Sequence, residues 1–218
     1  MDDAELFAAA RATLFTALVG DTLDRMGLRH QFLGAALRPI DPGMVILGRA
    51  MTVTEANVGA GGNSSSFGLL FKALDDLRPG EVYICAGASP NYALWGGLMS
   101  VRAVACGAAG AVLHGYHRDT SEILRLGFPV ASFGAYAQDQ AGRGEVTAWR
   151  QPITVDGVAV ASGDVVFGDR DGVLIVPRDA VAEAFAGAFE KARGEGDVLR
   201  ALRGGMTTAQ AFAQFGLM

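Results

Sequence analysis

The chain has little cysteine, little lysine and no long apolar run, and each shortage removes a class of function. Its 218 residues include two cysteines, Cys85 and Cys106. Both lie in apolar runs, Val82-Tyr83-Ile84-Cys85-Ala86 and Val104-Ala105-Cys106, and read as buried reduced thiols rather than a disulfide framework. No cysteine pair has metal-ligand spacing. Lysine occurs only as Lys72 and Lys191, each in an amphipathic helical pattern where a solvated face is the ordinary setting. A catalytic Schiff-base lysine therefore finds little support. The net charge of −5, with no Lys/Arg cluster interleaved with aromatics, leaves no electrostatic footprint for nucleic acid. No uninterrupted apolar stretch reaches the roughly 18 residues of a membrane span. Asp2, Asp3 and Glu5 make the N-terminus acidic, the wrong charge for a secretory signal. These absences lead to the expectation of a soluble cytoplasmic protein that binds neither membrane nor nucleic acid.

What is present is apolar and glycine-rich. Half the residues are hydrophobic and 19% are charged, which suits a packed core rather than disorder. The 30 glycines are about twice the usual share of roughly 7% and suit tight turns between strands and helices. The length fits one domain over 1–218, read as N-terminal helices over 1–28, a β/α core over 29–177 and a helical tail over 178–218. Apolar spacing predicts a helix over 4–19 closed by Gly20, then a short helix capped by Asp21 or Thr22 and ending at Gly27. A strand is expected over 45–53, a polar Gly/Ser loop over 57–66, and a helix over 67–77. Strands at 82–86, 111–114 and 130–133 alternate with helices at 94–107 and 120–126. From Gly144 the period shifts toward two, with Asp156-Gly157 as a hairpin turn. An Ala-rich helix over 180–193, a broken stretch over 194–205, and a last helix capped by Thr207 or Thr208 complete the order. The class is α/β. Phe185, Phe189, Phe212 and Phe215 in the tail predict apolar surface left open on a lone subunit.

Residues 95–119 carry the chemistry. Trp95-Gly96-Gly97-Leu98-Met99 reads as a Gly-rich turn opening a helix, whose free N–H groups suit a carboxylate or phosphate. An apolar strand then runs into Tyr116-His117-Arg118-Asp119. Arg118 can grip an anion with two parallel bonds, and Asp119 can hold a hard divalent cation. Taken alone, Asp119 also reads as a cap for the helix over 120–126, Arg118 as a surface ion pair, and His117 as a hydrogen-bonded structural histidine. Asp164 and Asp169-Arg170-Asp171-Gly172 read as turn residues. Gly59-Ala60-Gly61-Gly62 is no P-loop, because no Gly-Lys-Ser/Thr follows. Nor does any Gly-x-Gly loop after a strand support a methyltransferase.

Leu94-Trp95-Gly96-Gly97-Leu98-Met99, Gly110-Ala111-Val112 and Arg118-Asp119 resemble the family of class II pyruvate aldolases and regulator-of-RNase-E-like proteins. So do Asp21 through Gly27, Leu47 through Val53, Pro79-Gly80-Glu81-Val82, Phe128-Pro129-Val130 and Gly163 through Val173 with Pro177, in order over most of the chain. The resemblance implies a swivelling β/β/α sandwich with mixed sheets, assembled as a homotrimer or homohexamer with active sites between subunits. It implies a lyase that needs Mg2+, Mn2+ or another divalent metal. Such a lyase cleaves 4-hydroxy-4-methyl-2-oxoglutarate or 4-carboxy-4-hydroxy-2-oxoadipate, or decarboxylates oxaloacetate, through an enolate of pyruvate. By the same resemblance Asp119 binds metal, Arg118 holds the substrate oxygen, and Gly96, Gly97, Leu98 and Met99 bind substrate carboxylate. Glu195 is implied to reach a neighbouring subunit's metal site, and Asn63 to border the pocket. Many family aldolases carry an acidic residue where Gly97 stands. The alternative within the resemblance is a non-catalytic regulator that binds RNase E or another protein.

Overall fold

The computed structural model describes residues 2–58, 67–88 and 91–216. The N-terminal amphipathic segment forms two helices, α1 (Asp3–Thr13) and α2 (Thr16–Arg25), which corrects the single helix expected over 4–19. The break falls at Leu14-Phe15 because a distant carboxylate caps the second helix. Asp169 accepts the Thr16 N–H at 2.7 Å and the Thr16 hydroxyl at 2.8 Å. Gly20 does not end a helix; it lies within α2 beneath the Phe32 ring, where a Cβ would collide with that ring.

Strands β1 (Arg38–Pro39) and β2 (Ile46–Asn57) precede helix α3 (Phe67–Asp75) and β3 (Glu81–Ala86). Then come β4 (Ala93–Trp95), α4 (Gly97–Ala105), β5 (Gly110–Leu113), β6 (Tyr116–His117), α5 (Thr120–Leu126) and β7 (Val130–Ser132). The period-two region supplies β8 (Gly144–Trp149), β9 (Ile153–Val155), β10 (Val158–Val160), β11 (Val165–Asp169) and β12 (Gly172–Val176). Helices α6 (Val181–Arg203) and α7 (Thr208–Phe215) finish the chain. As expected from the sequence, β9 and β10 form an antiparallel hairpin through Asp156-Gly157, and Thr207 caps α7 in a capping box.

The main sheet has the order β1-β7-β5-β3-β2-β11-β12, with β8 also on β2. The strands β2, β3, β5 and β7 run parallel, joined by helical crossovers as parallel strands require. On its other edge β2 serves two antiparallel neighbours in turn, β11 along its first residues and β8 along its last, with a register shift between Thr54 and Glu55. One segment stitches the two ends of the sheet together. Leu33 donates to Val173 and Ile175 donates to Gln31, each at 2.9 Å, while β1 pairs with β7. The result is a mixed sheet nearly closed into a barrel, with helices at both ends of a single domain.

Three apolar clusters fill it. One lies between the sheet and α3, α4 and α5, a second between the sheet and the β9–β10 hairpin, and a third under α1, α2 and α6. The third holds the first half of α6, which runs unbroken for 23 residues through Gly194 and Gly196, against the expected break. Val198 is buried, Lys191 pairs with Asp21 and Glu195, and packing overrides a glycine cost of about 1 kcal/mol each. Phe185 belongs to this core beside Phe7, so of the tail aromatics it is not part of an open surface.

One charge lies in the first core's wall. Glu55 on β2 is 1% exposed, and burial pushes its carboxyl up to about 7, with the Gln140 amide opposing the shift. The folded state therefore holds a proton between about pH 4.5 and 7 that the unfolded chain has released. Stability from this group is complete below its unfolded value and lost as pH rises to about 7.

Two outcomes follow from these anchors. Asp169→Ala removes both bonds to Thr16 and leaves a buried hydroxyl without its partner, a cost of about 2 kcal/mol, read as a thermal midpoint lower by about 4–8 °C; an unchanged midpoint refutes the cap. Glu55→Gln removes the titration. Its stability relative to the native protein should rise by about 3 kcal/mol between pH 4.5 and 7 and stay level above that. Parallel denaturation curves for the two proteins across this range would show that the burial does not carry the shift.

Candidate active site

Two short strands build the site. Ala93 pairs with Tyr116 and Trp95 with His117 in parallel register, and the Arg118 N–H donates to the Trp95 carbonyl at 2.9 Å. Each strand runs straight into a helix start, β4 into α4 and β6 into α5. Parallel pairing therefore sets Gly96-Gly97 beside Arg118-Asp119. Buried side chains fix this ribbon. The Trp95 indole donates to Ser100 at 2.7 Å, and the Ser100 hydroxyl donates to the Gly96 carbonyl at 3.1 Å. Trp95 also stacks on Phe128, with ring centroids 6.0 Å apart, and tilts against Tyr83 at 4.9 Å. His117 bonds Ser132 at 2.7 Å and Thr120 at 2.9 Å, the structural role expected of it, and burial lowers its pKa and favours the neutral ring.

Asp119 occupies the N-cap position of α5 with φ 59°, in the left-handed region, yet its side chain does not cap that helix. The carboxylate turns to the other helix instead, and Oδ2 accepts the Gly97 N–H at 3.0 Å. This corrects the expectation for Gly97 as a substrate-binding amide, because Asp119 already occupies it. The Leu98 and Met99 amides remain in the first turn of α4, where a helix offers no acceptor of its own. Gly96 is required by the close approach, since a Cβ there would stand 2.7 Å from Asp119 Oδ2. A Cβ on Gly97 would press on Glu122 at 3.1 Å. Glu122 itself pairs with Arg125. The crowding at Gly97 thus comes with a carboxylate already standing nearby.

Arg118 stands between two carboxylates without being locked by either. Its Nε is 3.8 Å from Asp119 Oδ2 and its Nη2 is 3.6 Å from Asp139 Oδ1. All three side chains are part exposed at a cleft of about 300 Å3. Its apolar wall holds Phe67, Leu70, Phe71 and Trp95, and its polar wall holds Arg118, Asp119, Asp139 and Gln140. Asp139 and Gln140 were not singled out from the sequence. The only trace there is a short polar run, Gln138-Asp139-Gln140, far from residues 95–119 in the chain. Gly96, Leu98 and Met99 line the same cleft.

Glu195 lies elsewhere in the chain. It sits on α6, 3.4 Å from Lys191, in a separate groove with Phe15 and Leu199. Within one subunit it does not meet Asp119. Asn63 falls outside the described residues.

A hard cation fits this donor set in one way. Among the described residues no group of three His, Cys, Asp or Glu side chains could enclose a metal. Asp119 offers one carboxylate whose second oxygen has no hydrogen-bond partner among them. A single carboxylate completed by water and ligand oxygens suits Mg2+ or Mn2+, and does not suit the closed tetrahedral sites of zinc.

The chain is similar to several known proteins. Protein DlpA of Legionella pneumophila is 26% identical over 201 residues, covering 90% of this chain and 31% of DlpA. The 4-hydroxy-4-methyl-2-oxoglutarate aldolase of Thermus thermophilus is 35% identical over 112 residues, covering 50% of this chain and 66% of that protein. The chain thus spans about a third and about two thirds of these two relatives. The RNA-processing inhibitor RraA from Thermus thermophilis superposes with a TM-score of 0.57 at 29% identity, over 72% of this chain and 90% of that one. Residues 16–175, which include the whole β4–β6 ribbon and both helix starts, match the family described as RraA-like, Aldolase/RraA, and the chain belongs to that family.

Proposed function

We propose that the protein is a divalent-metal-dependent lyase that releases pyruvate from a 4-hydroxy-2-oxo dicarboxylate or decarboxylates oxaloacetate. The observation that carries this reading is the pairing of a left-handed Asp119 with an unlocked Arg118 at the mouth of a cleft. Asp119 would hold the cation, and the cation when bound would supply positive charge to the carbonyl oxygen of the keto acid. The Arg118 guanidinium has no short bidentate partner, so its fork is available to an oxyanion. The first-turn amides of Leu98 and Met99 can receive the substrate carboxylate, favoured by the positive end of α4. Retro-aldol cleavage and β-decarboxylation both leave an enolate of pyruvate. Arg118 would stabilise its charge, and Phe67, Leu70 and Trp95 line the apolar side of the cleft. The aldolase name of the Thermus relative supports the reaction class.

Assembly belongs to the same proposal. Leu98 is 87% exposed, and Val101 and Phe71 are exposed beside it, an apolar surface next to the cleft that a trimer or hexamer would cover. In such an assembly Glu195 of a neighbouring subunit could reach the metal. A second reading rests on the same surface together with the RraA half of the family description. In it, the protein is a non-catalytic regulator that binds RNase E or another protein partner.

Purified protein should release pyruvate from oxaloacetate or a 4-hydroxy-2-oxo dicarboxylate with Mg2+ or Mn2+, and excess EDTA should abolish this. Asp119→Asn keeps a residue that tolerates left-handed backbone and can still accept the Gly97 N–H. Arg118→Lys keeps charge but loses the planar fork. Both variants should stay folded while turnover falls by about 100-fold or more, with metal binding weakened only in Asp119→Asn. Full activity in EDTA, or native kinetics in both variants, puts the regulator reading ahead. Light scattering at micromolar concentration should report a trimer or a multiple of it. A monomer removes any role for Glu195 at the metal.

A further inference from the structure

We propose that Glu55 is a positioning residue for the candidate site. Its carboxylate holds Gln140, and through Gln140 the turn that carries Asp139, so that Asp139 aims the Arg118 guanidinium into the cleft. The inference rests on the reading of Arg118 as the group that binds substrate.

The connection is continuous. Glu55 Oε2 accepts the Gln140 Nε2–H at 2.7 Å, and both side chains are buried. The Gln140 carbonyl accepts the N–H groups of Arg143 at 2.8 Å and Gly144 at 3.0 Å. The Asp139 carbonyl accepts Arg143 Nη1 at 3.0 Å. On the other side the Ala93 N–H donates to the Gln138 carbonyl at 2.8 Å, which ties this turn to β4. Asp139 and Gln140 then form the polar wall facing Arg118 and Asp119. Pull Gln140 away, and the carboxylate 3.6 Å from Arg118 loses its anchor.

A carboxylate here does what an amide would not. An ionised Glu55 only accepts, so it selects the rotamer of Gln140 that points Nε2 inward and leaves Oε1 on the other side. Once protonated, Glu55 can donate as well, and the selection weakens. Tyr83 and Cys85 of β3 and Tyr92 before β4 also interact with Glu55; all three are shifted upward and stay neutral. On β8 it faces Val146. Glu55 has no ion pair among the described residues, and its Oε1 has no hydrogen-bond partner there. For shape alone a glutamine would serve at this position without the burial cost.

The test compares the full-length native protein with Glu55→Gln and, as a second probe of the same bond, Gln140→Leu. In ligand-free native protein, the nitrogen–proton resonances of the Gln140 side-chain amide and Arg118 Nε should move together between pH 6 and 8.5, with a midpoint near 7. In Glu55→Gln both should be flat, and in Gln140→Leu the Arg118 resonance should be flat. In turnover assays KM should rise about fivefold from pH 8.5 to 6, the difference between a charge-assisted and a neutral bond, while kcat changes less than twofold. Both variants should keep the low-pH KM throughout. An Arg118 resonance that stays fixed while Gln140 titrates overturns the proposal. So does native pH dependence in Glu55→Gln. Should no condition give turnover, the lyase reading fails, and the resonances alone decide the positioning role.

Discussion

The site depends on one short piece of parallel pairing. The strands β4 and β6 share only the pairs Ala93–Tyr116 and Trp95–His117, yet each opens into a helix. Parallel strands deliver their following helices on the same side, so the starts of α4 and α5 come to lie next to each other. Helix starts concentrate unsatisfied N–H groups and positive potential. An Arg beside them adds more, and two carboxylates offset it. The buried bonds of Trp95 and His117 belong to the same device, because the first ties β4 to α4 through Ser100 and the second ties β6 to β7 through Ser132.

Behind the ribbon, β2 is the strand that connects site and fold. It pairs with β3 on one edge and with β11 and then β8 on the other. The register shift at Thr54–Glu55 marks the handover between those two partners. A shift of this kind re-aims side chains, and here it accompanies a carboxylate pointing into the first apolar cluster toward the loop that ends at β8. The strand that organises the core therefore also reaches the polar wall of the cleft. At the far end of the sheet Asp169 plays a comparable part for the N-terminal helices through Thr16.

Elements with strong local signals were legible in the sequence. The helix over 120–126, the Asp156-Gly157 hairpin and the Thr207 cap all formed as the residues predicted, because each is decided within a few positions. The failures share one cause. The break at Leu14-Phe15 is set by Asp169, more than 150 residues away, and continuity through Gly194 and Gly196 goes with the burial of residues on either side, Ala188 and Val198. Neither cause is visible in a local window. The site divides in the same way. Gly96 through Met99 and Arg118-Asp119 were singled out by residue type and spacing, and the structure brings them to one cleft. Asp139 and Gln140 were not, since only tertiary folding brings that loop to Arg118. Glu55 left no clear signal, because β2 also carries Arg49, Thr52, Thr54 and Asn57.

Asp119 raised two readings from sequence, helix cap and metal ligand, and the cap it makes is not the one expected. The residue caps, but it caps α4 through Gly97 rather than the helix it precedes. That bond uses one oxygen. A cap of this kind contributes about 1 kcal/mol, and the helix dipole a further ~0.3–1 kcal/mol at a part-exposed site. Left-handed backbone costs about 1–2 kcal/mol for a residue with a Cβ, somewhat less for Asp. The sum is close to zero, so Asp119 is not explained by stability. The residue lines the cleft beside Arg118, whose Nε is 3.8 Å from the oxygen that accepts the Gly97 N–H. For this reason the conservative change to Asn tests chemistry while leaving the fold where it is.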